Sequence, residues 1–296
     1  MRQCWDMGYL TNGTTQDGFG ARTQRAINAM ALSFYLIDKF NADLEYVHTP
    51  LAIECFGEDF RTGEKARAHC GRAGIVTREG YIEQATLWDN RLCYSGKTLK
   101  DIDPTGLHII DTLDYDKSVL YNDIKRGETD NKLYVVKYLH KEFGDRSIDT
   151  NIIDTYYQDI INSFGFTPVL RDNNIEIHIR RSDANPMRSR FLDDKYYLEI
   201  LQSLIPYRDK YEITIHTQRQ GFKAKRYSGW DIIYDDEEND FDLFIKMACA
   251  KYLVVGKSSF SIAAAFLNPN TIIYPPQPTI GLSRWINKDD FIKGLK

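Results

Sequence analysis

No run of apolar residues approaches the roughly 18 needed to cross a bilayer. The longest, Ala26 to Ile37, is interrupted by Asn28 and Ser33. The first residues, Met1-Arg2-Gln3-Cys4-Trp5-Asp6, lack the apolar core of a signal peptide, so a cytoplasmic protein without a membrane span is expected. Cysteine is scarce and odd in number, five in 296 residues, with no Cys-x-x-Cys pair. That argues against a disulfide framework and offers no spacing for structural zinc. His69-Cys70 is the one adjacent His/Cys pair, and two ligands do not make a metal site. Basic charge is not in excess: 38 Lys and Arg face 42 Asp and Glu, a net charge of -4. The overall positive field of a nucleic-acid binder is missing, so no nucleic-acid partner is expected. Repeats, low-complexity tracts and Ser- or Pro-rich linkers are absent as well.

What is present is periodicity. Ile27, Met30, Phe34 and Ile37 recur at spacings of three and four, which predicts a helix over 20–40, with Asn41 as its stop. Gly18 and Gly20 precede it, and Leu44 to His48 reads as a strand running to Pro50. Residues 55–105 are poorly patterned. Helices are predicted over 132–143 and 148–164, the second closed by Gly165 and Pro168. A boundary near Pro168 divides the chain into domains 1–168 and 169–296.

The second half is patterned more clearly. Ile175 to Arg180 alternates strictly and predicts a strand. A helix over 194–204, strands over 211–216 and 231–234, and a helix over 241–250 follow. An apolar strand over 252–255, a small-residue helix over 259–267 and a strand over 271–274 complete the series. Strands alternating with helices imply an α/β fold built on a parallel sheet. Ligands bind such sheets beyond the carboxyl ends of the strands.

Three groups of residues carry chemistry there. In His178-Ile179-Arg180-Arg181-Ser182-Asp183, alternation puts Glu176, His178 and Arg180 on one face, and Arg180 reaches the carboxyl edge. Two guanidiniums at that edge suit a pyrophosphate, because the planar fork donates bidentately to phosphate oxygens. Asp183 is placed to pair with one of them. The bland reading is a solvated Arg-Arg-x-Asp turn with a satisfied histidine. Val254-Val255-Gly256-Lys257-Ser258-Ser259-Phe260-Ser261 runs from strand to helix, where free N–H groups bind anions. Ser258 and Ser259 add hydroxyls, although one serine there can simply be a cap. Asp235 to Asp242 is acidic. Asp235 and Asp236 can hold a divalent metal or form a solvated loop, and Asp242 falls in a first helical turn, where its carboxylate can accept the N–H edge of guanine.

Taken together, these residues resemble the fucosyltransferase superfamily with the His-x-Arg-Arg-x-Asp motif, which includes α-1,2-, α-1,6- and protein O-fucosyltransferases. The motif matches at His178, Arg180, Arg181 and Asp183. Asp242-Leu243-Phe244, Ser258-Ser259-Phe260-Ser261 and Leu267-Asn268-Pro269-Asn270 look like the closing block of the α-1,2 family. Gly18-Phe19-Gly20 with its helix looks like the opening of that family. The resemblance implies a GT-B fold, two Rossmann-like domains facing across a cleft. Domain 1–168 is then the acceptor side and domain 169–296 the GDP-sugar side, with the last helix a candidate to return to the first domain.

The implied reaction is inverting, metal-independent transfer of fucose or a related hexose from a GDP-sugar, GDP-fucose first among them, to a glycan acceptor, without a cofactor. Carried over by position, Arg180 holds the β-phosphate and Arg181 supports it as the catalytic pair. His178 lines the nucleotide pocket, Asp242 reads guanine, and Ser258 and Ser259 hold the pyrophosphate. Asp183, Phe260, Gly18, Gly20 and Arg22 complete the donor-binding set. The chain departs from the family at Ala21, where Asn is common, and at Ile262-Ala263, where paired tryptophans are common. No base is assigned: Asp17, Asp193 and Asp194 each read better as a cap, turn or surface residue. A missing Golgi anchor points to a bacterial or large-virus enzyme. Two alternatives stay open: a metal-dependent transferase using Asp235 and Asp236, and a non-catalytic GT-B-shaped nucleotide- or glycan-binding protein.

Overall fold

A computed structural model describes residues 7–13, 19–50, 78–102, 106–112, 118–136, 150–181, 191–235, 237, 239–275 and 281–295. Contacts divide the chain into two units, Met1–Thr167 and Pro168–Lys296. Each is an α/β unit with an all-parallel sheet, the Rossmann-like two-domain organisation expected from the sequence.

The first unit has four strands: β1 Gly8–Asn12, β2 Leu44–Tyr46, β3 His108–Thr112 and β4 Lys132–Val136. They lie in the order β2-β1-β4-β3, every pair parallel. Helix α1, Phe19–Phe40, connects β1 to β2 and stops where Asn41 turns left-handed at φ 50°, a conformation that asparagine tolerates better than most residues. Helix α2, Arg78–Leu92, falls in the stretch whose sequence shows little pattern. Helices α3 Ser118–Arg126, α4 Thr150–Thr155 and α5 Tyr157–Ser163 follow. Tyr9, Val47, Leu133 and Val135 form a core cluster.

One expectation is corrected here. The helix expected over 132–143 begins as strand β4, with Leu133 to Val136 buried. An apolar run buried on both faces of a parallel sheet is easily mistaken for a helical stripe.

The second unit has six strands: β5 Asn174–Ile179, β6 Glu212–Thr217, β7 Asp231–Tyr234, β8 Tyr252–Val254, β9 Thr271–Tyr274 and β10 Ile286–Asn287. Their order is β10-β9-β8-β5-β6-β7, again parallel throughout. Helices α6 Asp194–Leu204, α7 Asp240–Ala248, α8 Ser259–Leu267 and α9 Lys288–Gly294 make connections or close the chain. Ile175, Ile177 and Ile179 share one face of β5 and pack with Tyr197, Ile200, Leu201 and Leu204 of α6. Phe244 of α7 and Ala263 to Leu267 of α8 are also buried. Helix α9 does not leave this unit: Phe291 is buried, its ring 5.5 Å from Tyr252. Among the described residues no helix is long and apolar enough to cross a membrane.

The chain runs β5, β6, β7 to one side of β5 and then β8, β9, β10 to the other. The order therefore reverses between β5 and β8, and ligands bind at such reversals in open α/β sheets.

Ile177 is fully buried at the centre of this sheet. Ile177→Ala is expected to destabilise the protein by about 2–5 kcal/mol, through lost transfer energy and a residual cavity. Urea unfolding measures this, and a change under about 1 kcal/mol contradicts the packing described.

Candidate functional site

The site is built where β5 and β8 end side by side. Parity within β5 sends Arg180 to the carboxyl edge, half-buried, and its Nη1 donates to Ser258 Oγ at 3.2 Å. Ser258 occupies the N-cap position of α8 with extended backbone, but its side chain makes no capping bond. Its hydroxyl is turned to Arg180 instead. Of its neighbours, Ser259 is half-buried in the first turn, whereas Ser261 is buried and donates back to the Ser258 carbonyl at 3.3 Å.

Gly256 makes this approach possible. A Cβ there would lie 2.7 Å from the Tyr197 hydroxyl and 3.0 Å from the His178 carbonyl oxygen. The loop from β8 to α8 therefore passes over the end of β5 too closely for any side chain. Lys257 follows, half-buried, and no described acidic residue pairs with it. Arg180 and the helix N-terminus, which carries about half a positive charge, thus meet at one edge, with Lys257 in the loop just before the helix. Lys257 is the contributor that the sequence reading quoted without a role. Its signal was its position between a strand's apolar run and a serine-rich helix start.

Arg181 is a correction. It does not share the edge with Arg180. It is 3% exposed, and its Nη2 donates to Asp194 Oδ1. Its Nη1 donates to the Arg180 carbonyl at 2.8 Å, and its guanidinium lies over Phe191 and Tyr197, 5.0 and 5.7 Å from the ring centroids. Its backbone N–H donates to Gln218 Oε1 at 2.7 Å. A buried guanidinium needs a carboxylate, and α6 supplies one at its first residue. Asp194 also accepts from Tyr227 at 2.9 Å and from Arg226 at 2.8 Å. Burial pushes the Asp194 carboxyl up, but the hydrogen bonds from Arg181 and Tyr227 outweigh it and hold it below the usual carboxylate range. The arginine's partner is therefore Asp194; Asp183, expected in that role, lies outside the described residues. Asp193 is a helix cap, accepting from Lys195 N–H at 2.8 Å.

His178 is buried on the same face of β5 as Arg180. Burial, with the neighbouring His216 and Arg180, holds its pKa down at about 3, so the ring is neutral. It lies 5.9 Å from the ring of Phe260 in the first turn of α8, and Nδ1 has no hydrogen-bond partner among the described residues. Beneath it, Glu176 is satisfied by His216 Nε2 at 2.6 Å and by Asn174 Nδ2 at 2.9 Å. Asp242 is exposed in the first turn of α7. Gly20 and Arg22 belong to the first turn of α1 in the first unit. Arg22 is 1% exposed and enclosed there, because the first half of that helix is buried nearly all round. Gly18 and Asp17 lie outside the described residues, as does Asp236. Among the described residues no group of three or more His, Cys, Asp or Glu is arranged to hold a metal.

The sequence matches no protein-family profile and no curated protein. Distant likeness to solved structures exists. E. coli heptosyltransferase WaaC with ADP is 10% identical at a TM-score of 0.42, covering 98% of this chain and 100% of that one. POFUT1 in complex with GDP-fucose is 10% identical at 0.38, covering 89% and 94%. Methanocaldococcus jannaschii UDP-GlcNAc 2-epimerase in complex with UDP-GlcNAc and UDP is 12% identical at 0.33, covering 97% and 91%. Likeness this distant leaves the chemistry to be argued from the residues.

Asp194→Ala would leave the Arg181 guanidinium buried without its carboxylate, a loss of about 3–5 kcal/mol in stability. Because folding depresses the Asp194 pKa, the stabilisation is complete above the unfolded value of about 4 and disappears as pH falls through the folded one. Urea midpoints at pH 7 and pH 3 test both: the gap between wild type and variant should narrow in acid, and an equal gap at both refutes the pairing.

Proposed function

We propose that the protein is a glycosyltransferase whose second unit binds a GDP-sugar, GDP-fucose or a related GDP-hexose, for inverting and metal-independent transfer to a glycan hydroxyl. The observation that carries this reading is the Arg180–Ser258 pair at the strand-order reversal, beside an uncapped helix start and Lys257. A diphosphate is the group that such an edge suits. Its oxygens accept bidentately from a guanidinium and from the N–H groups at a helix start. In this reading Arg180 takes the β-phosphate. Ser258, Ser259, the Phe260 N–H and Lys257 take the remaining oxygens, and Asp242 accepts the N–H edge of guanine. Arg181 does not touch the donor; it holds the Arg180 carbonyl and so positions its neighbour.

The chemistry follows from the charge. As the sugar leaves, the diphosphate gains negative charge, and donors already aimed at it stabilise the transition state. His178 stays neutral and lines the pocket with Phe260.

A thermal-shift panel of GDP, UDP, ADP and CMP tests the reading. GDP alone is expected to raise Tm, since a ligand at 100 times its Kd adds about 2.7 kcal/mol of stability. Arg180→Ala is expected to abolish that rise and to slow sugar transfer by about 10²–10³. Arg180→Lys is expected to fail as well, because an ammonium cannot reproduce the fork. EDTA should leave GDP release from GDP-fucose unchanged; its loss would favour metal chemistry at Asp235 and Asp236. Equal shifts with all four nucleotides, or none with any, would sink the GDP-sugar assignment.

A further inference from the structure

The carboxyl edge of the second unit's sheet holds one polar group that the diphosphate does not use. Ile179, Thr217 and Tyr234 are register partners at the ends of β5, β6 and β7. Arg180 and Gln218 each stand one residue past these ends, on neighbouring strands spaced about 4.8 Å apart. Hydrogen bonds lock the strand ends together. Thr217 Oγ1 donates to the Ile179 carbonyl at 2.8 Å, and Asp235 N–H donates to the Thr217 carbonyl at 3.0 Å. Arg181 N–H donates to Gln218 Oε1 at 2.7 Å.

That last bond orients the side chain. A backbone N–H only donates, so the atom facing Arg181 is the amide oxygen and the other end is the NH2 group. Gln218 is half-buried, and its NH2 group makes no hydrogen bond among the described residues. Two hydrogens are therefore held at a fixed place on the edge, beside the arginine. The polar groups along this edge also come in an order. The sheet runs β8-β5-β6-β7. Ser258 follows β8, Arg180 ends β5, Gln218 ends β6, and Asp242 lies in the first turn of the helix after β7. A nucleoside diphosphate carries its parts in the same order: phosphates, ribose, base. With the diphosphate at Ser258 and Arg180 and the base towards Asp242, the ribose lies over the end of β6.

We propose that Gln218 recognises the ribose of the donor nucleotide, its Nε2 donating to a ribose hydroxyl oxygen while Oε1 stays on Arg181 N–H; the placement of the diphosphate rests on the GDP-sugar reading above. A ribose hydroxyl accepts one of the two hydrogens. A deoxyribose CH2 at the same place accepts none and leaves a half-buried donor unpaired. Gln218 thus selects ribonucleotides over deoxynucleotides whatever the base, and base selection belongs to other residues.

Isothermal titration calorimetry of the full chain with GDP, UDP and ADP, and with the 2′-deoxy and 3′-deoxy form of each, tests this. In the wild type the nucleotide that binds is expected to lose about 3–10-fold in affinity when the recognised hydroxyl is missing, the contribution of one hydrogen bond. Gln218→Met, similar in shape, should weaken the ribonucleotide by about the same factor and bind ribo- and deoxy-forms equally. A residue that only shaped the chain around Arg181 would weaken both forms and keep their ratio. A second measurement needs no variant. The side-chain amide resonance of Gln218 in the wild type, assigned through its backbone, should shift with the bound nucleotide and stay in place with inorganic pyrophosphate. A wild type indifferent to both hydroxyls overturns the proposal. So does a Gln218→Met variant that keeps the wild-type preference, or an amide resonance that the bound nucleotide leaves unmoved. Binding of UDP or ADP in place of GDP, with a ribose preference that Gln218→Met removes, overturns the guanine reading and supports Gln218. Binding of no nucleotide overturns both.

Discussion

The bond from Arg180 to Ser258 sets the character of the second unit's edge. A serine at an N-cap normally turns to the helix it begins, a contribution of about 1 kcal/mol. Here it turns to a guanidinium, and a hydrogen bond to a charged group contributes about 1.5–3 kcal/mol. The larger interaction wins, and the first N–H groups of α8 are left without that hydroxyl. The geometry depends on Gly256, where any Cβ would meet the Tyr197 hydroxyl at 2.7 Å. One glycine thus lets a loop cross a strand end, and the crossing brings a guanidinium and a helix start to one place.

Arg180 and Arg181 are chemically identical neighbours with opposite fates, and strand parity is the reason. Arg180 continues the polar face of β5 to the edge. Arg181, one residue on, turns to the face covered by α6 and meets Asp194 there. A buried ion pair of this kind adds little net stability, because desolvation consumes most of the Coulomb energy. Its effect is directional. Through its bond to the Arg180 carbonyl, and with Gln218 holding its own N–H, Arg181 fixes the course of the chain just where Arg180 leaves the sheet. The ion pair therefore contributes aim more than stability.

Much of the second unit was legible because its signals are local. Strict alternation marked β5, and short apolar runs marked β8 and β9. The helix over 259–267 and the strand over 231–234 begin and end where the pattern predicts. In the first unit, α1 was equally plain, whereas β4 was read as helix because Leu133 to Val136 is uniformly apolar. Within the site, parity alone carried Arg180 to the edge. The partner of Arg181 was not legible, since Asp194 stands 13 residues away and meets it only once α6 has docked.

The two edges carry different groups. At the second unit's edge, Arg180 is charged throughout the accessible range, and helix N–H groups do not titrate. His178 is already neutral, its pKa held at about 3 by burial and by neighbouring positive charge. A second charged group on that face would repel Arg180 and stand unsolvated beside Phe260, so neutrality is the state that the packing selects. The charge on this face is consequently unaffected by His178 across physiological pH. The first unit's edge is built otherwise: His48 has Nδ1 3.2 Å from the Tyr46 hydroxyl and Nε2 3.9 Å from Asp89 Oδ1.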